Sequence, residues 1–491
     1  MTLAGSTMKK KVIRPSAPAW KPHGIQKRGV KFLVEHAAAA LLFDPGLGKT
    51  STTLAAFTFL KKRKVANRML IIAPLRVCHL VWPAEVQKWA DFNHLRVGVL
   101  HGKAKEQVLE NVEDYDVLVI NPEGLEWLIM GGKGKAFNRA RWRKLGIDTL
   151  CIDELTKFKH AKGARFKMLK QVLETFARRW GLTGTPVPNG LLDLFGQMYV
   201  LDMGNALGRY ITHYRMEYFR SLDPMGWKWV LQKGAEARIY ERIKPLAIRA
   251  NAEDYLDLPE IMPTKFMMEL PPAVRQLYDA LEEDMFAKMD DKVITAANAA
   301  AINMKLRQIC NGALYVDDDV AALVRGAKRS IQELHEVKLD AVAEMLEELQ
   351  GQPLFLAYEF KHDLYRLLKR FPNTPVLGSK DIKHDKELEA AWNRNEYPLM
   401  LGQPAGTAHG LNLQEGGAMH VGWFSMFWDL ELYDQFFRRV RRQGNKAKRV
   451  FNHHFMMRDT TDEVVWYAQR GKERGQNALL AALEDRRKAR K

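Results

Sequence analysis

A short stretch near the amino terminus, AAALLFDPGLGKT at residues 38–50, decides the fold of the first half of the chain. Its apolar part, residues 38–43, predicts a buried strand, and the loop that follows leads into a helix that begins near Ser51. Glycines let backbone N–H groups approach a phosphate, and the N-terminus of the next helix favours negative charge. The stretch therefore predicts a phosphate-binding loop on an α/β fold.

Two side chains of this loop carry the expected chemistry. Lys49 is placed to reach the β- and γ-phosphates of a nucleotide, and the Thr50 hydroxyl is placed to bind Mg²⁺. The strict form of such loops has a glycine five residues before Gly48, where this chain has Phe43. A Gly-Lys-Thr tripeptide also occurs by chance, so a purely structural loop remains the alternative at this point.

Other short apolar runs recur along the chain. Residues 69–74, 116–120 and 149–153 alternate with amphipathic stretches up to about residue 200, which predicts a parallel sheet covered by helices on both faces. The pattern returns from about residue 336, with a helical stretch at 338–349 and strand-like runs at 353–358 and 398–401. The intervening residues mix aromatic and basic side chains with helical spacing. The sequence thus predicts two α/β units that flank a mostly helical region.

A pair of acids ends the fourth apolar run. Asp153 and Glu154 follow Leu150-Cys151-Ile152, so they are expected at the carboxyl end of a strand, where ligands bind in parallel sheets. Asp153 is placed to hold a metal, and Glu154 to orient and deprotonate a water. The alternative is an acid pair that caps the next helix. Together with the phosphate loop, the pair implies an Mg-ATPase.

Composition limits the class of protein. The 491 residues include 76 Lys+Arg and 58 Asp+Glu, a net charge of +18. Three cysteines exclude a disulfide framework, and the longest apolar run, residues 37–43, is far short of the ~20 residues of a membrane helix. No apolar signal-peptide core follows the basic N-terminus. We therefore expect an intracellular, cytoplasmic protein that is not secreted and does not contact a membrane.

The positive charge is clustered. Basic residues concentrate in residues 1–28, 133–144, 438–449 and 470–491. Such clusters would bind nucleic-acid phosphates in a salt-sensitive and sequence-neutral way. Solvated, solubilising faces are the alternative for any single cluster. The whole set favours nucleic acid as the partner.

The motifs, taken in order, resemble the Swi/Snf-type branch of the superfamily-2 helicase-like ATPases. The resemblance covers residues 23–463 and includes both the phosphate loop and the acid pair. Its other elements are HGIQ at 23–26, IAP at 72–74 with WPAE at 82–85, NPEGL at 121–125, LTGTPVPN at 182–189, LRQICN at 306–311, AGTAHGLNL at 405–413 and QFFRRVRRQG at 435–444. Arg439 and Arg442 are three residues apart, which puts both on one helical face.

The resemblance implies two RecA-like lobes, ATP and Mg²⁺ as cofactors, and DNA as partner. The expected catalytic residues are Lys49, Asp153, Glu154, Arg439 and Arg442. Nucleotide contacts are expected from Gln26, Gly46, Leu47, Gly48, Lys49, Thr50, Ser51, Gly410 and Gln435, and Mg²⁺ contacts from Thr50 and Asp153. DNA contacts are expected from Pro74, Thr183, Thr185 and Thr407. The domains would be a basic arm (1–20), lobe 1 (21–205), a mostly helical insertion region (206–335), lobe 2 (336–470) and a basic tail (471–491).

Several positions depart from the family pattern. Thr156 and Leu155 replace the usual His and Ala of the second motif, and Phe43 stands where relatives commonly carry an acid. Arg438 and Arg441 replace a more typical Asp and His. The missing His links ATP state to the DNA-binding motifs in many relatives, so coupling through Thr156 is an open point. No departure removes a phosphate ligand, a metal ligand, the expected base or an arginine finger, so activity is expected.

The expected function is a DNA-stimulated ATPase that moves along or remodels duplex or branched DNA, mainly through backbone contacts. A DNA-binding scaffold with ATP as a switch, and an ATPase subunit of a nuclease or restriction complex, are the alternatives. A compact motor of this kind is more typical of viruses and bacteria. Strand separation, DNA polarity, pathway and any targeting protein partner do not follow from the sequence.

Overall fold

The computed structural model describes residues 17–132, 136–184, 190–222, 229–290, 296–316, 330–379, 381–407 and 410–470. Most of the basic arm, the first three residues of the 133–144 cluster, Thr185 and the basic tail lie outside these ranges. Seventeen strands occur in the described residues; thirteen of them form two large sheets, and the other four form two hairpins. They are Ala38–Phe43 (β1), Arg68–Ile72 (β2), Val97–Val99 (β3), Val117–Ile120 (β4), Ile147–Asp153 (β5), Arg178–Leu182 (β6), Phe219–Ser221 (β7), Trp229–Leu231 (β8), Ala247–Ala250 (β9), Glu260–Met268 (β10), Ala313–Val316 (β11), Ser330–Glu333 (β12), Leu354–Ala357 (β13), Val376–Leu377 (β14), Leu399–Gly402 (β15), His420–Trp423 (β16) and Arg449–Met457 (β17).

Helices occupy most of the connections between these strands. They are Gly24–Glu35 (α1), Lys49–Lys62 (α2), Leu75–Leu80 (α3), Trp82–Lys88 (α4), Lys105–Glu110 (α5), Leu125–Met130 (α6), Arg139–Lys144 (α7), Ala164–Lys170 (α8), Leu194–Asp202 (α9), Ile211–Tyr218 (α10), Ala235–Ile243 (α11), Pro272–Asp290 (α12), Ala296–Asn311 (α13), Val337–Leu349 (α14), Lys361–Arg370 (α15), Ile382–Asn393 (α16), Pro404–Thr407 (α17), Leu430–Phe437 (α18) and Thr461–Arg470 (α19). None of them is both long enough and apolar enough to cross a membrane, within the part of the chain that the structure describes.

The first sheet is parallel throughout and has the strand order β3-β4-β2-β5-β6-β1-β9. Successive side chains of a strand point to opposite faces, and in β1 both sets are buried. Ala40 and Leu42 join one core cluster, whereas Leu41 and Phe43 join another. A sheet buried on both faces needs continuous apolar strands. The prediction of such a sheet from the apolar runs is confirmed.

The second sheet is also parallel and has the order β10-β17-β16-β13-β15-β14. Its central strand β13 sends Phe355 into one core cluster, and Leu354 and Leu356 into another. The chain therefore folds as two parallel α/β units, as predicted. We refer to the part built on the first sheet as the first half and the part built on the second sheet as the second half.

The region between the units contains strands as well as helices. Residues 206–335 include α10 to α13, but they also supply β9 to the edge of the first sheet and β10 to the edge of the second. Two small antiparallel hairpins, β7–β8 and β11–β12, lie here too. The helical spacing identified the helices, whereas the edge strands are short or carry alternating exposed residues. The domain boundaries stay a prediction.

A chain of hydrogen bonds with two buried histidines at its centre crosses the second sheet. The His453 ring bonds Thr264 at 2.7 Å on one side and His420 at 3.0 Å on the other, and His420 bonds Gln352 at 2.9 Å. Burial lowers the pKa of His420 to about 4 and that of His453 to about 3, where the neighbouring His420 acts in the same direction. Both rings are therefore neutral at pH 7.

Acid should destabilise the protein through these rings. An unfolded histidine titrates near 6.5, so between pH 6.5 and about 4 the unfolded chain binds more protons and stability falls with pH. For one such histidine the loss between pH 7 and pH 5 is about 2 kcal/mol. Urea unfolding at both pH values should show a smaller loss in His420→Gln than in the wild type. An equal loss in both proteins would contradict this prediction.

Candidate active site

The phosphate loop is held by the first helix. Gly48, the residue before α2, has φ +73°, and a Cβ atom there would lie 2.0 Å from Gln26 Nε2, so only glycine fits. Gln26 Nε2 also donates to the Leu47 carbonyl at 3.3 Å, and Gln26 Oε1 accepts from the His23 N–H at 2.8 Å. The structure thus brings Gln26, one of the predicted nucleotide contacts, against the phosphate loop itself.

Lys49 begins α2 and folds back over its own loop. Its Nζ donates to the carbonyl of Phe43 at 2.6 Å and to that of Asp44 at 3.3 Å. Burial lowers the pKa of Lys49 to about 8, although the carboxylates Asp153, Glu154 and Asp44 oppose this effect. Within the described residues, the hydrogen bonds of this desolvated ammonium go to carbonyls, which fits a group that receives an anion. Thr50 and Ser51 follow in the first turn, where Ser51 Oγ donates to the Gly48 carbonyl at 3.1 Å.

Asp153 lies at the carboxyl end of β5 and faces Lys49. The indole Nε1 of Trp82 donates to Asp153 Oδ2 at 2.9 Å, which fixes the carboxylate. Burial and the charge of Glu154 raise the pKa of Asp153 to about 6, with Lys49 and the Trp82 bond opposing. Burial disfavours the ionised form of this carboxylate, and a nearby cation would stabilise that form. The carboxylate of Asp153 and the hydroxyl of Thr50 fit the oxygen ligands that Mg²⁺ prefers.

Glu154 sits in a backbone conformation that side-chain-bearing residues rarely adopt. Its φ is +75°, and its N–H donates to the Leu182 carbonyl of the neighbouring strand at 3.0 Å. Its Oε1 accepts from the hydroxyls of Thr156 and Thr183, both at 2.9 Å. The turn and these two donors orient the carboxylate. Such fixed orientation is what a residue that deprotonates water requires.

Two arginines of the second half approach the same cleft. A Cβ atom on Gly46 would lie 3.9 Å from Arg442 Cγ, so this side chain is adjacent to the phosphate loop. Arg442 NH1 donates to Asn412 Oδ1 at 2.6 Å, and Arg439 NH1 donates to the Leu411 carbonyl at 3.1 Å. Burial lowers the pKa of Arg439 to about 9 and also lowers that of Arg442. A pKa of about 9 leaves Arg439 a cation at neutral pH.

Further contacts join the two halves around this cleft. Arg438 NH1 lies 3.1 Å from Asp44 Oδ2, directly beside the phosphate loop. Arg76 of α3 also joins the halves, because it bonds the Asp385 carboxylate and the Ser379 carbonyl. Arg438 replaces the more typical Asp of relatives, and the structure pairs it with an acid of the loop. The departure therefore creates an ion pair between the halves.

The basic cluster at 438–449 is for the most part not a solvated face. Besides the three arginines already placed, Arg441 Nε donates to the Pro259 carbonyl at 2.8 Å, and its NH2 pairs with Glu253 at 3.1 Å. Arg449 is more exposed and pairs with Glu260 at 3.0 Å. Most of this charge is committed to contacts within the protein, so the cluster contributes less to the outer field than its composition suggests.

The predicted DNA-contacting residues have different surroundings. Pro74 precedes α3 and is half-buried, whereas Thr183 and Thr407 are almost fully buried. Thr183 donates to Glu154, as described, and Thr407 Oγ1 donates to the Gln403 carbonyl at 2.9 Å. Thr185 lies outside the described residues. Their contacts with DNA stay a prediction.

The two remaining predicted nucleotide contacts come from the second half. Gly410 has φ +81° and lies against α3, because a Cβ atom there would be 3.7 Å from Arg76 Cβ. Gln435 Nε2 donates to Glu431 Oε1 at 3.1 Å within α18. Gly410 therefore lies where the halves meet, and Gln435 bonds Glu431, which itself contacts Thr156 of the first half.

Sequence reasoning missed three participants. The bond of Trp82 to Asp153 and the pairing of Asp44 with Arg438 join residues that are far apart in the chain. Glu431 faces Glu154 across the cleft through the Thr156 hydroxyl. No motif or spacing points to these contacts. The one available signal is the replacement of the usual His by Thr156, which left coupling at this position open.

Comparison with known proteins identifies the family. The profile of the SNF2-related domain matches residues 25–313, more than half of the chain. The chain belongs to the SNF2-related family. It is 34% identical over 456 residues to protein p41 of Acyrthosiphon pisum secondary endosymbiont phage 1, covering 89% of this chain and 93% of that protein. The predicted family is therefore confirmed, and this phage relative supports the expected compact type.

A more distant relative is a bacterial protein. YwqA of Bacillus subtilis, named as a candidate ATP-dependent helicase/translocase, is 25% identical over 468 residues. The match covers 90% of this chain but 46% of YwqA, so the chain spans about half the length of that relative. The SWI2/SNF2 ATPase core of Sulfolobus solfataricus in complex with dsDNA is 23% identical, with a TM-score of 0.42 and coverage of 94% of this chain and 93% of that one. The predicted class of enzyme, a DNA-dependent ATPase, is confirmed at the level of the SNF2-related family.

Proposed function

We propose that this SNF2-related chain hydrolyses Mg-ATP in the cleft between its two α/β halves and uses the energy to move along duplex or branched DNA. The observation that carries the proposal is the convergence of Lys49, Asp153 and Glu154 from the first half with Arg439 and Arg442 from the second. Phosphoryl transfer needs positioning and charge neutralisation more than covalent chemistry, and these groups supply both.

Each side chain has a role that fits its surroundings. The phosphate loop and Lys49 would bind the phosphates, after the Lys49 amine leaves the Phe43 and Asp44 carbonyls. Thr50 and Asp153 would hold Mg²⁺, which supplies charge neutralisation for the phosphates. Glu154 would accept the proton of the attacking water through its oriented carboxylate. Arg439 and Arg442 would stabilise the transition-state charge as arginine fingers, so turnover requires that both halves approach the nucleotide.

The proposal that DNA is the partner is supported by general properties of the chain and of its family. The net charge of +18, the family and the helicase/translocase name of YwqA all favour it. We propose lobe 1 at residues 21–205, lobe 2 at 336–470 and an insertion region at 206–335, with DNA crossing both lobes. The basic arm at 1–20 and the tail at 471–491 are the proposed additional phosphate contacts.

Phosphate release with and without duplex DNA tests this function. We expect duplex DNA to raise the rate about tenfold or more, with an effect that weakens as salt increases. The Glu154→Gln variant sets the background. An ATP-switched scaffold would instead bind DNA with turnover near background, and a subunit of a nuclease complex would copurify with its nuclease. Turnover that DNA does not stimulate would contradict the proposal.

A further inference from the structure

A single hydroxyl lies between two carboxylates where the halves meet. Thr156 Oγ1 is 2.9 Å from Glu154 Oε1 and 3.2 Å from Glu431 Oε1, and Thr156 is only 4% exposed. Glu154 belongs to the first half, whereas Glu431 lies on α18 of the second half. A hydroxyl carries one hydrogen. At any moment it therefore donates to one of the two carboxylates. Both contacts can be hydrogen bonds at once only if one carboxyl is protonated and donates to the hydroxyl oxygen.

The Glu154 side of this contact bears on the reaction. Thr156 and Thr183 both donate to Oε1, and within the described residues no hydrogen bond involves Oε2. Bonds that hold one oxygen fix the rotation of the carboxylate, which leaves Oε2 as the oxygen that can accept a proton from water. Loss of the Thr156 bond would leave the carboxylate with one donor from a side chain, Thr183.

The Glu431 side connects to a predicted nucleotide contact. Gln435, one helical turn further along α18, donates from Nε2 to Glu431 Oε1 at 3.1 Å. Glu431 therefore touches Thr156 of the first half and Gln435 of its own half. Neither Thr156 nor Gln435 is among the residues expected to hold Mg²⁺.

We propose that Glu431 is a positioning residue for the ATPase reaction, which orients the Thr156 hydroxyl so that it donates to Glu154. The inference rests on the proposed function. Because Glu431 belongs to the second half, the orientation of the base depends on how the halves are placed. Cleft closure would then act on the base as well as on the arginine fingers.

The charge environment of Glu431 supports this arrangement. Burial raises its pKa to about 7, with Glu154 and Asp429 acting in the same direction and Lys159 and the Thr156 bond opposing. Lys159 also lies 3.8 Å from Asp193, which moderates its effect. Protonated Glu431 donates to Thr156 Oγ1, so the Thr156 hydrogen belongs to Glu154 alone. Ionised Glu431 competes for that hydrogen, so the arrangement weakens as pH rises through about 7.

The Glu431→Gln and Glu431→Leu variants separate this role from simple packing. The amide of Gln donates as a protonated carboxyl does, whereas Leu keeps the volume and donates nothing. At pH 6.5, where Glu431 is mostly protonated, and with saturating duplex DNA, we expect the Glu431→Leu variant to lower kcat about fivefold with KM for ATP within about twofold. At the same pH, the Glu431→Gln variant should keep kcat within about twofold of the wild type. The ratio of kcat for Glu431→Gln to kcat for the wild type should then rise as pH increases through 7, because only the wild type loses its protonated carboxyl.

Three controls make the result decisive. Glu387→Gln removes an exposed carboxylate of the same half and should leave kcat unchanged. Thr156→Val should lower kcat as Glu431→Leu does, and the double variant should add little, because both changes break one chain of bonds. Thermal melting of each variant checks the fold. If the Glu431→Leu variant does not fold, the pH dependence of the kcat ratio between Glu431→Gln and the wild type tests the inference by itself.

The outcomes distinguish this inference from the function on which it rests. A Glu431→Leu variant with wild-type kcat, or a Gln variant whose ratio does not change with pH, overturns the role of Glu431. The proposed function survives that result if the wild type hydrolyses ATP and Glu154→Gln does not. A wild type that fails to hydrolyse ATP overturns both.

Discussion

Replacing Glu154 by glutamine should lower kcat about 10³-fold, since the amide cannot accept the proton of the attacking water. The amide oxygen can still accept from Thr156 and Thr183, which both donate to Oε1, so the side chain should keep its orientation. The positive φ of +75° is a property of the backbone that Gln inherits from Glu. We therefore expect ATP affinity to change less than about twofold, because Glu154 is expected to act in the transition state and not in the binding of ATP itself.

Steady-state phosphate release and equilibrium ATP binding check this prediction together. Glu113→Gln, which removes an exposed carboxylate of the first half, is the matched control and should keep the wild-type rate. A Glu154→Gln variant that retains more than about a tenth of the turnover would remove Glu154 from the role of general base. The acid pair would then have the capping role that its sequence also allowed.

The fold could be predicted in large part because burial leaves a local signature. A parallel strand with both faces covered must be apolar at every position, so runs such as Ala38–Phe43 and Leu354–Ala357 stand out. The edge strand β10 could not be found this way. Its residues alternate between exposed and half-buried, and its pairing with β17 joins segments almost 200 residues apart.

The residues of the candidate site also differ in whether local sequence predicts them. Lys49, Asp153 and Glu154 follow strands at positions that parallel sheets use for ligands, so local sequence places them. Residues that join the halves are invisible to local reasoning, because the Thr156–Glu431 contact spans 275 positions. The replacement of His by Thr156 left coupling at this position open, and only the fold supplies Glu431 as the partner. The same holds for Arg438, whose acid partner lies on the phosphate loop.

Replacing Arg439 by alanine should lower kcat about 10³-fold, the loss typical of an arginine finger. Arg439 reaches the cleft from the second half, and the charge of Glu154 acts on it there. Burial lowers its pKa to about 9, so at pH 7.5 Arg439 is still a cation that can act on the transition-state charge. Lysine keeps the charge but lacks the planar fork, so Arg439→Lys should still lose about 10²-fold.

Single-turnover phosphate release at saturating ATP measures this loss without a contribution from product release. The matched control is Arg449→Ala, which removes a mostly exposed arginine that pairs with Glu260 in the same half. Its rate should stay within about twofold of the wild type, because exposed ion pairs contribute little. Removal of Arg439 also frees the Leu411 carbonyl, so thermal melting must accompany the kinetics. A folded Arg439→Ala variant with near wild-type turnover would show that the second half does not complete the catalytic site, and hydrolysis would then not depend on closure of the cleft.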